Sequence, residues 1–402
     1  MKLQYIKEFE KMGFGLFVHF GLYSVLEKGE WIKYVYNISD EEYEKLTLKF
    51  NPSKSWAKKL VRTAKKAGAK YITITTRHHD GFSLYDSSEV SNYDAPHSAA
   101  KRDLIREFVD ECHKNNIKPF FYHTLLDWYN KDFDNDFPRY IDYLIKSVEI
   151  LCKNYGEVGG FWFDGFWSKP DADWRFERLY GTIRKYQPNA MIINNTGLSA
   201  LGEVSHYEID AVTFERGKPF KVSCADGKER AGEVCDSITD HWGFARRDIV
   251  IKSISCLIDE LIDCKRCGCN LLLNVGPQAN GLLRPIEEAT LLELGKWISI
   301  NKEAVFDTQI SEISSQNAII FEKNDTYYAF IKDVPMSSNE NVARQQNRPR
   351  VVIDTKKRIV GAKFLDDPKI KVPVDNKNKT IEVLPFFYGT SLYTRVLKFK
   401  LK

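Results

Sequence analysis

The chain has 402 residues, more than one ordinary domain and enough for a β/α barrel with an accessory domain. A hydrophobic fraction of 43% supports a sizeable core, and 59 basic against 55 acidic residues leave a charge of only +4. That charge forms no dense basic stripe, which argues against a nucleic-acid partner, and no run approaches the ~20 apolar residues of a membrane span.

The N-terminal Met1-Lys2-Leu3-Gln4-Tyr5 runs into charged residues with no signal-peptide core. Eight cysteines are too sparse for a disulfide scaffold, so a reducing, cytoplasmic location is expected. The first strand reads over Gly15 to Phe20, followed by a helix carrying Trp56, Leu60, Val61 and Ala64 on one face. Next come a strand over Lys70 to Thr75 and a helix with Leu104, Ile105, Phe108, Val109 and Cys112. Ile117 to Tyr122 is a strand, and Pro138 opens a helix bearing Tyr140, Ile141, Leu144, Ile145, Val148 and Leu151. Gly159 to Phe163, Ala190 to Asn194, Ala211 to Phe214 and Asn270 to Val275 complete the apolar runs. They scarcely alternate, as strands buried on both faces do. The rhythm indicates a parallel α/β fold, and a closed barrel fits because no Gly-x-Gly-x-x-Gly turn follows the first strand. Some units are indistinct, so irregular or missing helices are expected there. The last helix spans about Glu287 to Asn301.

Around residue 308 the pattern changes to short strands with turn signals, Ala318 to Phe321 and Tyr327 to Ile331, ending in the alternation of Leu397, Phe399 and Leu401 with lysines. The expected organisation is a catalytic barrel over 1–307 and an antiparallel β-sandwich over 308–402. Ser337 to Arg350, a polar stretch inside the second part, is expected to be a mobile loop.

Barrel active sites lie at the C-terminal strand ends. Here those ends carry His19, His78-His79-Asp80, Tyr122-His123, Asp164, Asn194-Asn195, Glu215 and Asn274, a ring of donors and acceptors suited to a hydroxyl-rich ligand. Asp164 closes the otherwise apolar strand Gly160-Phe161-Trp162-Phe163, where a carboxylate is costly unless hydrogen-bonded or functional. A helix cap is the plain alternative. The functional reading is a nucleophile attacking a sugar's anomeric carbon, assisted by a second carboxyl group. A metal site on His19, His78, His79 and Asp80 is a competing reading, but adjacent His78 and His79 diverge on an extended chain. Cys264, Cys267 and Cys269 lack a fourth ligand and a second Cys-x-x-Cys pair, so no metal or cofactor is expected.

These residues resemble glycoside hydrolase family 29, the α-L-fucosidases. The resemblance rests on Phe14-Gly15-Leu16-Phe17-Val18-His19-Phe20-Gly21, Gly29-Glu30-Trp31, Thr76-Arg77-His78-His79-Asp80-Gly81-Phe82, Trp162-Phe163-Asp164-Gly165, and Gly268 to Pro277 (GCNLLLNVGP), in that order. It implies a β/α barrel with a β-sandwich, a retaining exo-acting mechanism on terminal L-fucose, a fucosylated substrate and no metal. It makes Asp164 the nucleophile and places His19, Glu30, Trp31, His78, His79, Tyr122 and Trp162 around the sugar. The acid/base carries over to Glu215, with Glu233 as the alternative and Glu203 and Glu208 behind. Many members carry an Asn-Asp-Arg-Trp-Gly-like segment after the fifth strand. Here it reads Asn194-Asn195-Thr196-Gly197-Leu198, without the arginine, and Arg216 is the residue expected to supply that charge. A fucose-binding protein on a degenerate barrel is the non-enzymatic alternative, which the presence of Asp164 disfavours.

Overall fold

The computed structural model describes residues 2–223, 226–334, 350–387 and 389–402. Eight parallel strands close into a barrel in sequence order, and β8 pairs back onto β1. They are β1 (Phe14–Val18), β2 (Tyr71–Arg77), β3 (Lys118–Thr124), β4 (Gly160–Asp164), β5 (Met191–Asn194), β6 (Ala211–Glu215), β7 (Ala231–Ser237) and β8 (Cys269–Val275). Seven of these coincide with the apolar runs of the sequence. β7 does not, because its Ala-Gly-Glu-Val-Cys-Asp-Ser holds a glycine and two acids where the other strands hold aliphatic residues.

The expected helices are present as Trp56–Ala67, Leu104–Asn115, Phe137–Asn154 and Pro285–Ile300. Asp103 and Asp136 start two of them by accepting from the backbone N–H groups of Arg106 and Arg139. Among the described residues the connections from β5 to β6 and from β6 to β7 contain no helix. Helices are thus missing from two units, and the loop after β5 contributes Gly197, Leu198 and Ser199 to the barrel mouth.

Helix Gln4–Met12 closes the bottom of the barrel, its Ile6 and Phe9 packing among inward-facing Tyr71, Phe120, Met191 and Leu272. Because side chains alternate along a strand, inward residues stack in layers two residues apart. Phe17, Tyr122 and Trp162 lie above this plug, and the strand ends lie above them. Gly15 belongs to this packing: a Cβ there would sit 2.3 Å from the Tyr71 ring.

The described residues divide into two compact units. One runs to Lys252 and resumes over Cys269–Leu292; the other joins Ser253–Gly268 to Glu293–Lys402. In the second unit a five-stranded antiparallel sheet has the order β13-β16-β11-β10-β9. Its strands are β9 (Gln309–Ile310), β10 (Ile319–Lys323), β11 (Thr326–Lys332), β13 (Ile359–Phe364) and β16 (Thr394–Leu401). A three-stranded sheet is formed by β12 (Arg350–Val352), β15 (Thr380–Glu382) and β14 (Val374–Asp375). Val351 and Ile381 of the small sheet share one core with Ala329, Leu397 and Phe399 of the large one, as in a β-sandwich. Of the stretch expected to be a loop, residues 337–349 lie outside the described residues, and Arg350 opens β12. Among the described residues no helix is long and apolar enough to cross a membrane.

Candidate active site

A cavity of about 570 Å³ opens at the C-terminal end of the barrel. Asp164 and Glu215 line it, together with His19, Glu30, Trp31, His78, His79, Tyr122, Trp162 and Arg216. All eight side chains expected around the ligand therefore meet at one place. Glu233 does not line the cavity, and neither do Glu203 and Glu208; Glu208 instead accepts from Arg184 Nε at 3.0 Å.

Asp164, at the end of β4, is half-buried and held on both oxygens. Oδ1 accepts from the Gly165 backbone N–H at 2.9 Å, Trp167 Nε1 at 3.1 Å and Asn195 Nδ2 at 3.2 Å. Oδ2 accepts from Tyr122 OH at 2.9 Å and lies 3.5 Å from His79 Nε2. These donors fix the direction of the carboxyl group. The chain turns sharply after Asp164 because Gly165 has φ +100°, and a Cβ there would lie 2.7 Å from Leu126 N.

Glu215 closes β6 beside it. Asn195 bridges the two acids, since its Nδ2 also donates to Glu215 Oε2 at 2.7 Å. Asn195 is itself oriented by Thr213, whose hydroxyl donates to Oδ1 at 3.0 Å. The bridged oxygens of Asp164 and Glu215 therefore lie within roughly 6 Å of each other. Burial, and then the adjacent Asp164 charge, raise the Glu215 pKa to about 7.

The histidines present defined atoms. Asn274 Nδ2 donates to the Trp242 carbonyl at 2.8 Å, which leaves its Oδ1 to accept from His19 Nδ1 at 2.8 Å. His19 is kept neutral by burial, which pushes its pKa down to about 3, so its Nε2 is an acceptor. Thr124 Oγ1 donates to the Leu126 carbonyl and accepts from His79 Nδ1 at 2.6 Å, turning Nε2 toward Asp164. His78 stacks on Tyr122 with ring centroids 5.5 Å apart and an interplanar angle of 11°. Glu30 is anchored by the Gly243 backbone N–H at 2.7 Å, and burial raises its pKa. Arg216 donates to the Asp240 carbonyl at 2.6 Å and lies over the Trp242 ring at 4.7 Å.

Several lining residues had no assigned role in the sequence: Trp167, Asn195, Asp240 and Trp242. Asn195 was visible only as one of two strand-end amides. Alternation separates them, for Asn194 turns outward and donates to Tyr180 OH at 3.0 Å. His123 and Asp80 likewise leave the site. His123 Nδ1 pairs with Thr76 Oγ1, and Asp80 accepts from Tyr43 OH at 2.9 Å. The proposed metal set of three histidines and Asp80 thus does not converge. No other group of three or more potential ligands gathers among the described residues.

The family model described as "Alpha-L-fucosidase" matches residues 2–303. Tissue alpha-L-fucosidase of Bos taurus is 30% identical over 355 residues, which cover 80% of this chain and 71% of that protein. A putative alpha-L-fucosidase of Caenorhabditis elegans is 28% identical over 74% of this chain and 65% of its own length. The chain thus spans about two thirds of the length of these relatives. Among solved structures, alpha-L-fucosidase isoenzyme 1 from Paenibacillus thiaminolyticus has a TM-score of 0.85 at 29% identity, with 99% of each chain covered. A GH29 alpha-L-fucosidase from Bacteroides thetaiotaomicron, solved as a trapped covalent intermediate, has a TM-score of 0.81 at 24% identity, covering 100% of this chain and 97% of that one. With a barrel, a sandwich and a family match over most of its length, this chain belongs to the alpha-L-fucosidase family, glycoside hydrolase family 29.

Proposed function

We propose that this protein is a retaining exo-α-L-fucosidase that releases terminal α-L-fucose from fucosylated glycans or glycosides through a covalent fucosyl-enzyme intermediate. The observation that carries the reading is the pair of acids joined by Asn195: one gripped and aimed by converging donors, the other made a weaker acid by burial and by its neighbour's charge. In the first step Asp164 attacks C1 of the sugar while the protonated Glu215 gives its proton to the departing oxygen. In the second, Glu215, now a base, takes a proton from water as that water attacks C1 and releases Asp164. His19 Nε2 and the Glu30 carboxyl serve as partners for ring hydroxyls. Trp162 and Tyr122, stacked with centroids 5.6 Å apart, offer aromatic surface to the apolar face of the ring and its methyl group. The barrel floor closes the cavity from below, which favours a chain end over an internal sugar. Arg216 supplies positive charge on the side of the acid/base.

The test is release of 4-nitrophenol from its α-L-fucoside. Asp164→Gly should abolish turnover, and added azide should restore it with formation of the β-L-fucosyl azide. Glu215→Gln with azide should instead give the α-azide, because the first inversion on Asp164 still occurs. A folded wild-type protein that binds L-fucose but turns over no fucoside would leave the binding-protein reading.

A further inference from the structure

Glu233 belongs to neither step of this reaction, yet it is fully buried in the middle of the barrel. It stands on β7 two residues before Cys235, and Cys235 lines the cavity, so Glu233 occupies the layer directly beneath the floor. Its oxygens accept from two ring-bearing donors: Oε1 from Trp162 Nε1 at 2.9 Å, and Oε2 from Tyr71 OH at 2.5 Å. An indole N–H can only donate, so Trp162 needs an acceptor at this depth. The Trp162 ring stacks on Tyr122 at an interplanar angle of 19°, and Tyr122 OH donates to Asp164 Oδ2 at 2.9 Å. A continuous path therefore runs from the buried carboxyl to the nucleophile.

We propose that Glu233 is a positioning residue of the fucosidase reaction: by anchoring the Trp162 indole from below, it fixes the aromatic floor and, through Tyr122, the direction of Asp164. The inference rests on the function proposed above. Any residue that merely filled the space would leave the indole free to tilt, and a small displacement at the reacting atoms lowers the rate steeply. The anchor requires an acceptor rather than a negative charge. A glutamine can turn its amide oxygen to Trp162 and its NH₂ to the Tyr71 hydroxyl oxygen, which can accept.

The experiment compares Glu233→Met and Glu233→Gln in kcat and KM on 4-nitrophenyl α-L-fucoside. In parallel it records the indole N–H resonances in ¹⁵N-tryptophan spectra, with the Trp162 signal assigned by its loss in Trp162→Phe. Glu233→Met should lower kcat about 10- to 100-fold. It should move the Trp162 signal upfield, as a lost hydrogen bond does, while distant indoles stay in place. Glu233→Gln should keep kcat within about threefold of wild type and hold the signal near its original position. Adding Glu233→Met to Trp162→Phe should cost nothing further, since the two act in series.

Wild-type kcat in Glu233→Met, additive losses in the double variant, or a shift of all indole signals together would overturn the proposal. Should Glu233→Met not fold, Glu233→Gln decides, for loss of activity with the Trp162 signal unmoved overturns it. A wild type with no turnover would defeat the parent function, and the indole signals of the variants would still report whether the anchor exists.

Discussion

Glu215 and Glu233 lie on adjacent strands, are both glutamates, and both have pKa values raised to about 7. The register sets Glu215 opposite Cys235 and Thr213 opposite Glu233, so one glutamate sits a layer above the other. Glu215 faces the cavity, and its pKa is raised by burial and then by the Asp164 charge. Glu233 faces the barrel interior, and burial alone raises it, opposed by hydrogen bonds from Tyr71 and Trp162. A raised carboxyl is therefore not by itself an acid catalyst. The distinction lies in what the proton can reach: Glu215 opens onto a cavity shared with Asp164, while Glu233 meets the core side chains Tyr71 and Trp162.

The largest expected effect separates these layers. Asp164→Gly should lower kcat by a thousandfold or more, roughly what loss of a nucleophile costs when the rest of the site persists. Glu215→Gln should lose about 10²–10⁴-fold on fucosides with poor leaving groups, where protonation matters most. Steady-state rates on a disaccharide and on the 4-nitrophenyl glycoside, compared with Glu233→Gln, sharpen the contrast. Equal losses at positions 215 and 233 would erase it.

The bridging amide comes next. Asn195→Leu removes donors from both acids while keeping the volume, and a drop of about 10- to 100-fold in kcat/KM is expected. The pH profile gives a third test. On the proposed mechanism Glu215 starts protonated, so kcat/KM should fall above a pKa near 7, by tenfold per pH unit. Removing the Asp164 charge lowers that pKa, and a titration of Glu215 in Asp164→Asn by NMR should show the downward move.

The smallest effect concerns stability and belongs to Glu233. Its folded pKa is raised from 4.5 to about 7, so the folded state holds the proton more tightly than the unfolded chain. The resulting stabilisation is complete below about pH 4.5 and is lost as pH rises through 7, in total roughly 3 kcal/mol. Glu233→Gln cannot ionise. Its melting temperature relative to wild type should therefore climb by several degrees between pH 5 and pH 8, measured by calorimetry.

Legibility was high where local chemistry carried the signal. The first four strands are apolar runs with turns behind them, and their polar ends, His19, His78-His79, Tyr122 and Asp164, all reach the cavity. The second half was harder to read. β7 carries Gly232, Glu233 and Asp236 and lacks the hydrophobic signature of a buried strand: between the core residues Ala231 and Cys235 its inward face holds Glu233, which meets the Tyr71 and Trp162 donors. Trp167, in the single 3-10 turn Phe166–Ser168, and Trp242 follow strand ends on segments too short for a periodicity that announces which way a side chain points.

The barrel, the sandwich and the strand ending in Asp164 follow from the amino-acid pattern alone, since burial on both faces demands unbroken apolar runs and an acid at the end of one stands out. Which glutamate stands with Asp164 was decided only by the closed barrel. The resemblance favours Glu215 over Glu233 without showing where either carboxyl points, and a two-residue difference in height between neighbouring strands puts the first in the cavity and the second under its floor. Height is set by the register of β6 against β7, a pairing between distant segments that no local pattern encodes.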